Sequence, residues 1–201
     1  MSGPRVFLSA SFPSGEDGEP YEPYDVAAIA DAATAVVRAV LRADGRIVFG
    51  AHPAISPLVL LVAAELGRRE VVEVYQSLWF RKMIPEETTR LIKLGYAVPR
   101  WTDEVPGESP KPSLAVMRKK MLVEDQAPDA AVFIGGMGGI KREYDLLLGR
   151  PEPVPLLPVT GPGGATRELE RSHDRVAERL APLLDSPYYP ELARQIVAAL
   201  R

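Results

Sequence analysis

Apolar positions run through this chain in two alternating rhythms. Short blocks with little polar interruption, RVFLSA (5–10), RIVFG (46–50), EVVEVYQS (70–77) and AAVFIGG (130–136), predict strands. Several are apolar on both alternations, as strands are when helices cover both faces of a sheet. AVPRW (97–101) reads as a weaker strand, and the Pro-rich VPLLPVTG (154–161) as one near a sheet edge. Between these blocks the period lengthens. After Asp25, Val26, Ile29, Ala30, Ala33, Val36, Val37, Val40 and Leu41 recur at helical spacing until ADG (43–45) stops them. Further helices are predicted for LVLLVAAELG, for IPEETTRLIKLGY with Pro85 in its first turn, and for SPKPSLAVMRKKMLVED from about Ser113. IKREYDLLLG predicts a helix from Ile140, ATRELERSHDRVAERLAPLL one long helix, and YPELARQIVAAL a last one.

Strand and helix alternate about six times. That pattern predicts an α/β fold, a single Rossmann-like domain over residues 1–201. Its core would be a doubly wound, mainly parallel sheet of about six strands with helices on both faces. Ligands of such sheets bind beyond the carboxyl ends of the strands. The loops expected there are 9–11, 50–56, 76–79, 101 onward, 135–139 and 160–166. Four of the six contain glycine or small residues, which predicts a thin-walled cleft with many accessible backbone N–H groups.

The most informative loop is VFIGGMGGIKREYDLLL (132–148), where a strand meets Gly135, Gly136, Gly138 and Gly139 before a helix. Glycine lowers stability wherever the chain must be ordered, so four in five residues argue for close approach of a ligand rather than for packing. The helix start that follows favours an anion, and a phosphate is the natural candidate. TGPGGATRE (160–168) repeats the arrangement, with Thr160, Gly163, Gly164 and Thr166 placed to close the other side of the cleft. Ser9, Gly50 and His52 end two other strands and are candidates for the ribose or base. Met117 and Met121 lie one helical turn apart and pack inward. For Arg118 beside them, a snorkelling side chain is the simplest reading. Glu143 belongs to the first turns after the glycine loop, where a carboxylate suits the helix end and could also hold ribose hydroxyls.

Composition narrows the function classes. The 201 residues are 46% apolar and 25% charged, with a net charge of only −3 and no Lys/Arg run longer than three, so bulk nucleic-acid binding is not expected. The absence of cysteine excludes disulfides, Cys-zinc sites and a thiol nucleophile, and fits a reducing cytoplasm. With His52 and His173 far apart, and His173 among charges, no metal and no cofactor are expected. The opening MSGPRVFLSASFPSGED lacks the apolar core of a signal peptide, and SPLVLLVAAEL is too short to span a bilayer.

The order MRKKM, then PDAAVFIGGMGGIKREYDLL, resembles the core of the Lonely Guy-type proteins. Those proteins carry Arg-Lys-x-x-Met and then Pro-Gly-Gly-x-Gly-Thr-x-x-Glu after a strand. With the DprA-like proteins they form the SLOG superfamily of Rossmann-like nucleotide-binding domains. FGAHPAISPLV, SLAVMRKKM, IGGMGGIKREY and TGPGGATREL look closest to a standalone bacterial SLOG branch expected to sense nucleotide-derived signals, with links to TIR-type defence systems. The resemblance implies a phosphate loop at Gly135, Gly136 and Gly138. It gives Arg118 the place of the arginine that phosphoribohydrolases use at the N-glycosidic bond, and Glu143 the place of the motif glutamate. Here Glu143 falls one residue late, the Arg-Lys-x-Met run is one residue short, Gly139 replaces threonine and Ile134 replaces proline.

Two functions of different class follow. One is a sensor of a nucleotide or ADP-ribose-like ligand, a homo-oligomer acting through a separate effector such as a TIR-type or nuclease protein. The other is a nucleoside 5′-monophosphate phosphoribohydrolase with Arg118 and Glu143 as catalytic residues. The departures from the family pattern favour the sensor. An interaction protein with a vestigial site is a weaker third option.

Overall fold

In the computed structural model, which describes residues 3–201, the apolar blocks become strands β1 (Arg5–Ser11), β2 (Arg46–Gly50), β3 (Val72–Ser77), β4 (Val98–Thr102), β5 (Ala130–Gly135) and β6 (Leu156–Val159). All five pairings are parallel, in the order β4-β3-β2-β1-β5-β6. The expectation for the start of the chain falls partly on Met1 and Ser2, outside the described residues. β6 and β4 are the edges, which accommodates their prolines.

Among the described residues seven α-helices connect and flank the strands: α1 (Val26–Arg42), α2 (Ile55–Glu65), α3 (Glu86–Lys93), α4 (Lys111–Lys119), α5 (Gly138–Leu148), α6 (Arg175–Leu180) and α7 (Tyr189–Ala199). Alternate strand residues sort them onto two faces. Val6, Leu8, Ile47, Phe49, Val132 and Ile134 join the core under α1, α2, α3, α6 and α7. Phe7, Val48, Tyr75, Ala131 and Phe133 face α4 and α5. α5 buries Ile140, Tyr144 and Leu147 there, at the spacing of one helix face. Phe133 meets Phe7 edge-on at 6.2 Å and Tyr144 at 5.7 Å between ring centroids, so α5 is seated on the sheet by directional aromatic contacts.

Helix α4 does not stop at its last α-helical residue. It runs on as a wider turn over Lys120–Glu124, closed by the Asp125 N–H donating to Lys120 O at 3.0 Å. This is the i→i+5 bond of a π-turn, and it buries both Met121 and Leu122. At the amino end of the sheet Arg5 lies 3.5 Å from Glu73 on β3, and its N–H donates to Asp129 at 2.7 Å just before β5. These contacts tie the first strand to segments far along the chain.

The single long helix predicted for residues 165–184 does not form. The chain makes a 3-10 turn at Gly164–Glu168, runs extended from Leu169, and starts α6 only after Asp174. Two competing sets of hydrogen bonds explain it. The Ser172 N–H donates to Leu156 O at 3.2 Å and Ser172 Oγ accepts the Leu156 N–H at 2.8 Å, which pins the segment beside β6. Asp174 accepts the N–H groups of Val176 and Ala177 and so caps a new helix.

Candidate functional site

The strand order reverses between β1 and β5, and there the connections that follow them leave a crevice. A cavity of about 320 Å³ opens at that place. Its floor is the carboxyl ends of β1, β2 and β3, through Ser9, Gly50 and Gln76, and its walls are α4 and α5.

The two helices present matching stripes to it. Leu114, Met117, Arg118 and Met121 follow i, i+3, i+4, i+7 along α4 and the turn beyond it. Ile140, Glu143, Tyr144 and Leu147 do the same along α5. Each stripe is apolar except for one charged residue, and the two charges meet. Arg118 Nε donates to Glu143 Oε1 at 3.1 Å, with both side chains 12% exposed. Ser9 Oγ donates to the other oxygen, Glu143 Oε2. The carboxylate is therefore oriented from both sides. Arg118 does not snorkel to solvent as the isolated motif suggests. Gly50 makes room for this arrangement. A β-carbon there would stand 3.2 Å from the Met117 methyl and 4.0 Å from Glu143 Oε1.

The four glycines of the 135–139 turn divide into two pairs. Gly135 and Gly136 have φ of 65° and 78°, a region that side chains disfavour. A β-carbon on Gly135 would meet Ile29 at 2.6 Å, and one on Gly136 would meet Ile140 at 2.1 Å. Packing and backbone geometry alone account for that pair, against the expectation that none of the four serves packing. Gly138 and Gly139 differ. They begin α5, two residues earlier than predicted. A β-carbon on Gly138 would have only Tyr21 Oη near it, at 3.4 Å, and one on Gly139 would lie 3.1 Å from Arg118 Nη2. The N–H groups of Met137, Gly138 and Gly139 have no acceptor among the described residues. A guanidinium thus lies beside a helix start with open donors, with the Tyr21 hydroxyl as the other side-chain group near it. That is the chemistry of an anion site.

His52 lies in the turn between β2 and α2. Its Nδ1 accepts the Ala54 N–H at 3.3 Å, its N–H donates to Ser56 Oγ at 3.0 Å, and its carbonyl accepts the Ser56 N–H at 2.9 Å. Burial lowers its pKa from the ordinary 6.5, which favours the neutral ring. A neutral ring accepting at Nδ1 carries its proton on Nε2.

The cavity therefore brings together Ser9, Gly50, His52, Arg118, Gly139 and Glu143, with Gly138 at the adjoining helix start. It does not gather the second glycine loop. Thr166 is fully buried, and its hydroxyl sits 3.0 Å from Gly135 O and 2.9 Å from Gly163 O. Gly164 packs on the Gly135 backbone and Gly163 on that of Pro23 and Tyr24. Thr160 lies 3.2 Å from Asp185 on another surface. This loop stands behind the first one. Sequence reasoning reached Gln76 only as the start of the loop 76–79 and passed over Phe80 and Met83; all three line the cavity. It placed Leu114 and Met117 simply on a packed helix. Only the sheet order brings those residues beside β1.

Among the described residues there is no group of acidic or histidine side chains arranged to hold a metal, and no helix long and apolar enough to cross a membrane. No curated protein matches this chain. A family model, that of the SLOG cluster3 family, matches residues 21–195 and so takes in nearly every element that builds the cleft. The chain belongs to the SLOG cluster3 family, and that membership points to a nucleotide-related function.

Proposed function

We propose that this protein binds and senses a nucleotide or nucleotide-derived ligand, of ADP-ribose type, in the cleft beside β1 and β5. The observation that carries the reading is the Arg118 guanidinium beside the bare start of α5, at the rim of a cavity of about 320 Å³. In this reading the N–H groups of Met137, Gly138 and Gly139 hold a phosphate. Ser9 and Glu143 face the ribose, and Gly50 and His52 lie toward the base. Gly135 and Gly136 shape the turn. Gly163, Gly164 and Thr166 support it from behind, and Thr160 would act only through that support. The output passes through a homo-oligomer and a separate effector, of TIR type or a nuclease. α4 and α5 suit the oligomer, since Val116 and Leu148 are exposed along them. A reducing cytoplasm is the setting that a chain without cysteine fits.

A second reading has one specific observation in its favour. Arg118 and Glu143 converge on the same cavity, as glycosidic hydrolysis by a phosphoribohydrolase needs. Sensing is favoured because both carboxylate oxygens are already engaged, one by Arg118 and one by Ser9.

Titration calorimetry of the wild type beside Gly138→Val tests the proposal, against AMP, ADP-ribose, NAD and cyclic ADP-ribose, with each mixture assayed for free base. The expected result is binding of at least one of these ligands without base release. In the variant, folded by circular dichroism, that binding weakens by about tenfold or more, the loss of one or two charge-assisted contacts. Equal binding by the variant removes the phosphate assignment. Robust base release, abolished by Glu143→Gln, replaces sensing with hydrolysis.

A further inference from the structure

Gln76 ends β3, across the cleft from the glycine turn. It is 9% exposed and lines the cavity. Its Oε1 accepts the Ser77 N–H at 3.2 Å, which settles which end of the carboxamide is which. Its Nε2 has no acceptor among the described residues. On the adjacent strand end, His52 has Nδ1, N–H and C=O all engaged within its own turn. Its Nε2–H is the polar group left over. The far end of the cavity therefore offers two donors, while the Gln76 carboxamide oxygen is already in use.

The walls at that end are apolar. Phe80 and Met83 come from the segment after β3, and Leu114 and Met117 from α4. Flat aromatic surface suits such walls. The distance is also informative. From β5 through β1 and β2 to β3 is three strand spacings, about 14 Å at about 4.8 Å each. Less the side-chain and hydrogen-bond lengths at each end, that spacing leaves room for a purine nucleoside 5′-monophosphate, with phosphate at the start of α5 and base at Gln76.

We propose that the base end of the cleft selects a 6-oxopurine nucleotide, its O6 and N7 facing Gln76 Nε2 and His52 Nε2. This rests on the nucleotide reading given above and changes one part of it, the base: ADP-ribose and NAD carry adenine and should bind less tightly than a 6-oxopurine nucleotide. Two donors match the adjacent acceptors O6 and N7, the pattern that arginine reads in guanine. Adenine puts an amino donor beside N7. A glutamine reads that edge by using its oxygen and its nitrogen together, and here the oxygen is held by Ser77. An adenine amino group would thus meet a donor, leaving two buried N–H groups opposed.

The experiment compares IMP with AMP, which differ at position 6, by titration calorimetry on the full chain. GMP is a third ligand. The wild type is expected to bind IMP and GMP about tenfold more tightly than AMP, the scale of one misplaced hydrogen bond. Gln76→Leu should bring IMP and AMP within about twofold, by weakening IMP. Gln76→Glu, nearly isosteric, puts an acceptor where the donor stood and should reverse the order. Circular dichroism of both variants guards against misfolding, and the wild-type order stands by itself if either misfolds. AMP binding as tightly as IMP, or a preference that survives Gln76→Leu, overturns this inference and leaves the nucleotide reading intact. If the wild type binds none of the three, nor ADP-ribose or NAD, both readings fall together.

Discussion

The two glycine loops share a sequence plan and have opposite fates. Each follows a strand, each contains a Gly-Gly pair, and each leads toward helical structure. After β5 the chain reaches α5 over 11 residues, and the start of that helix faces the cleft. After β6 it reaches only a 3-10 turn of five residues, whose threonine bonds back to the first loop. Gly164 exists so that the second loop can lie against the backbone of Gly135, and the Ala165 N–H closes the contact by donating to Gly136 O at 3.0 Å. The lesson concerns what a missing side chain is for. At Gly138 it leaves room for something outside the protein, and at Gly164 it leaves room for the protein itself.

The sharpest way to break this comparison is one substitution made at both places. A β-carbon on Gly164 would stand 2.6 Å from the Gly135 carbonyl carbon, with φ at 78°, and rigid backbone cannot yield as a side chain can. Gly164→Ala is expected to cost about 3 kcal/mol or to prevent folding. Gly138→Ala should leave stability within about 1 kcal/mol of wild type, since alanine is a better helix residue than glycine. Urea denaturation followed by circular dichroism gives both values, and similar losses at the two sites would erase the distinction.

A milder test touches only the rear loop. Thr166→Val keeps the shape and removes the hydroxyl that serves Gly135 O and Gly163 O. The expected loss is about 1–2 kcal/mol, with nucleotide affinity unchanged if the turn keeps its form. A large fall in affinity beside a small fall in stability would assign the threonine to the ligand after all.

The block patterns revealed the strands because a strand covered on both faces needs few polar residues, and RVFLSA and AAVFIGG contain few. The glycine turn was legible for a similar reason, since glycine is conspicuous wherever it sits. Which glycine serves which purpose was not legible. It depends on Ile29 and Ile140 reaching Gly135 and Gly136, one from a distant helix and one from the next turn. The break in the predicted long helix was hidden because RELERSHDRVAERL has good helical residues throughout. Its interruption is decided by Ser172 pairing with Leu156, a contact 16 residues apart. Glu143 and Arg118 could be named from the motif, but their contact comes from two helices packed on one sheet face. Gln76 could be placed at the carboxyl end of a strand, in the loop 76–79, but nothing local marked its side chain, which becomes a cavity residue through the sheet order.

The smallest expected effect sharpens the comparison from a third strand end. His52 occupies a turn built on its own hydrogen bonds, without a glycine pair. Burial lowers its pKa below 6.5, so the folded protein binds fewer protons here than the unfolded chain does. This contribution to stability is fully present above pH 6.5 and is lost as pH falls through the lowered value. Denaturation midpoints between pH 5 and 7.5 should decline toward acid more in the wild type than in His52→Gln. Identical slopes would mean that the ring stays neutral or charged alike in both states.

The order of the sheet has a consequence for how the cleft comes into being. β1 to β4 are neighbours in space in the order in which they are synthesised. They can pair as the chain emerges, since domains assemble from the amino end first. β1 must then wait with one edge open until residues 130–135 arrive. Ser9 is made early and Glu143 is made 134 residues later. A nascent chain that has reached β4 therefore holds the Ser9, Gly50 and Gln76 floor of the cleft and none of its phosphate end. The seam that closes last is the seam that carries the site.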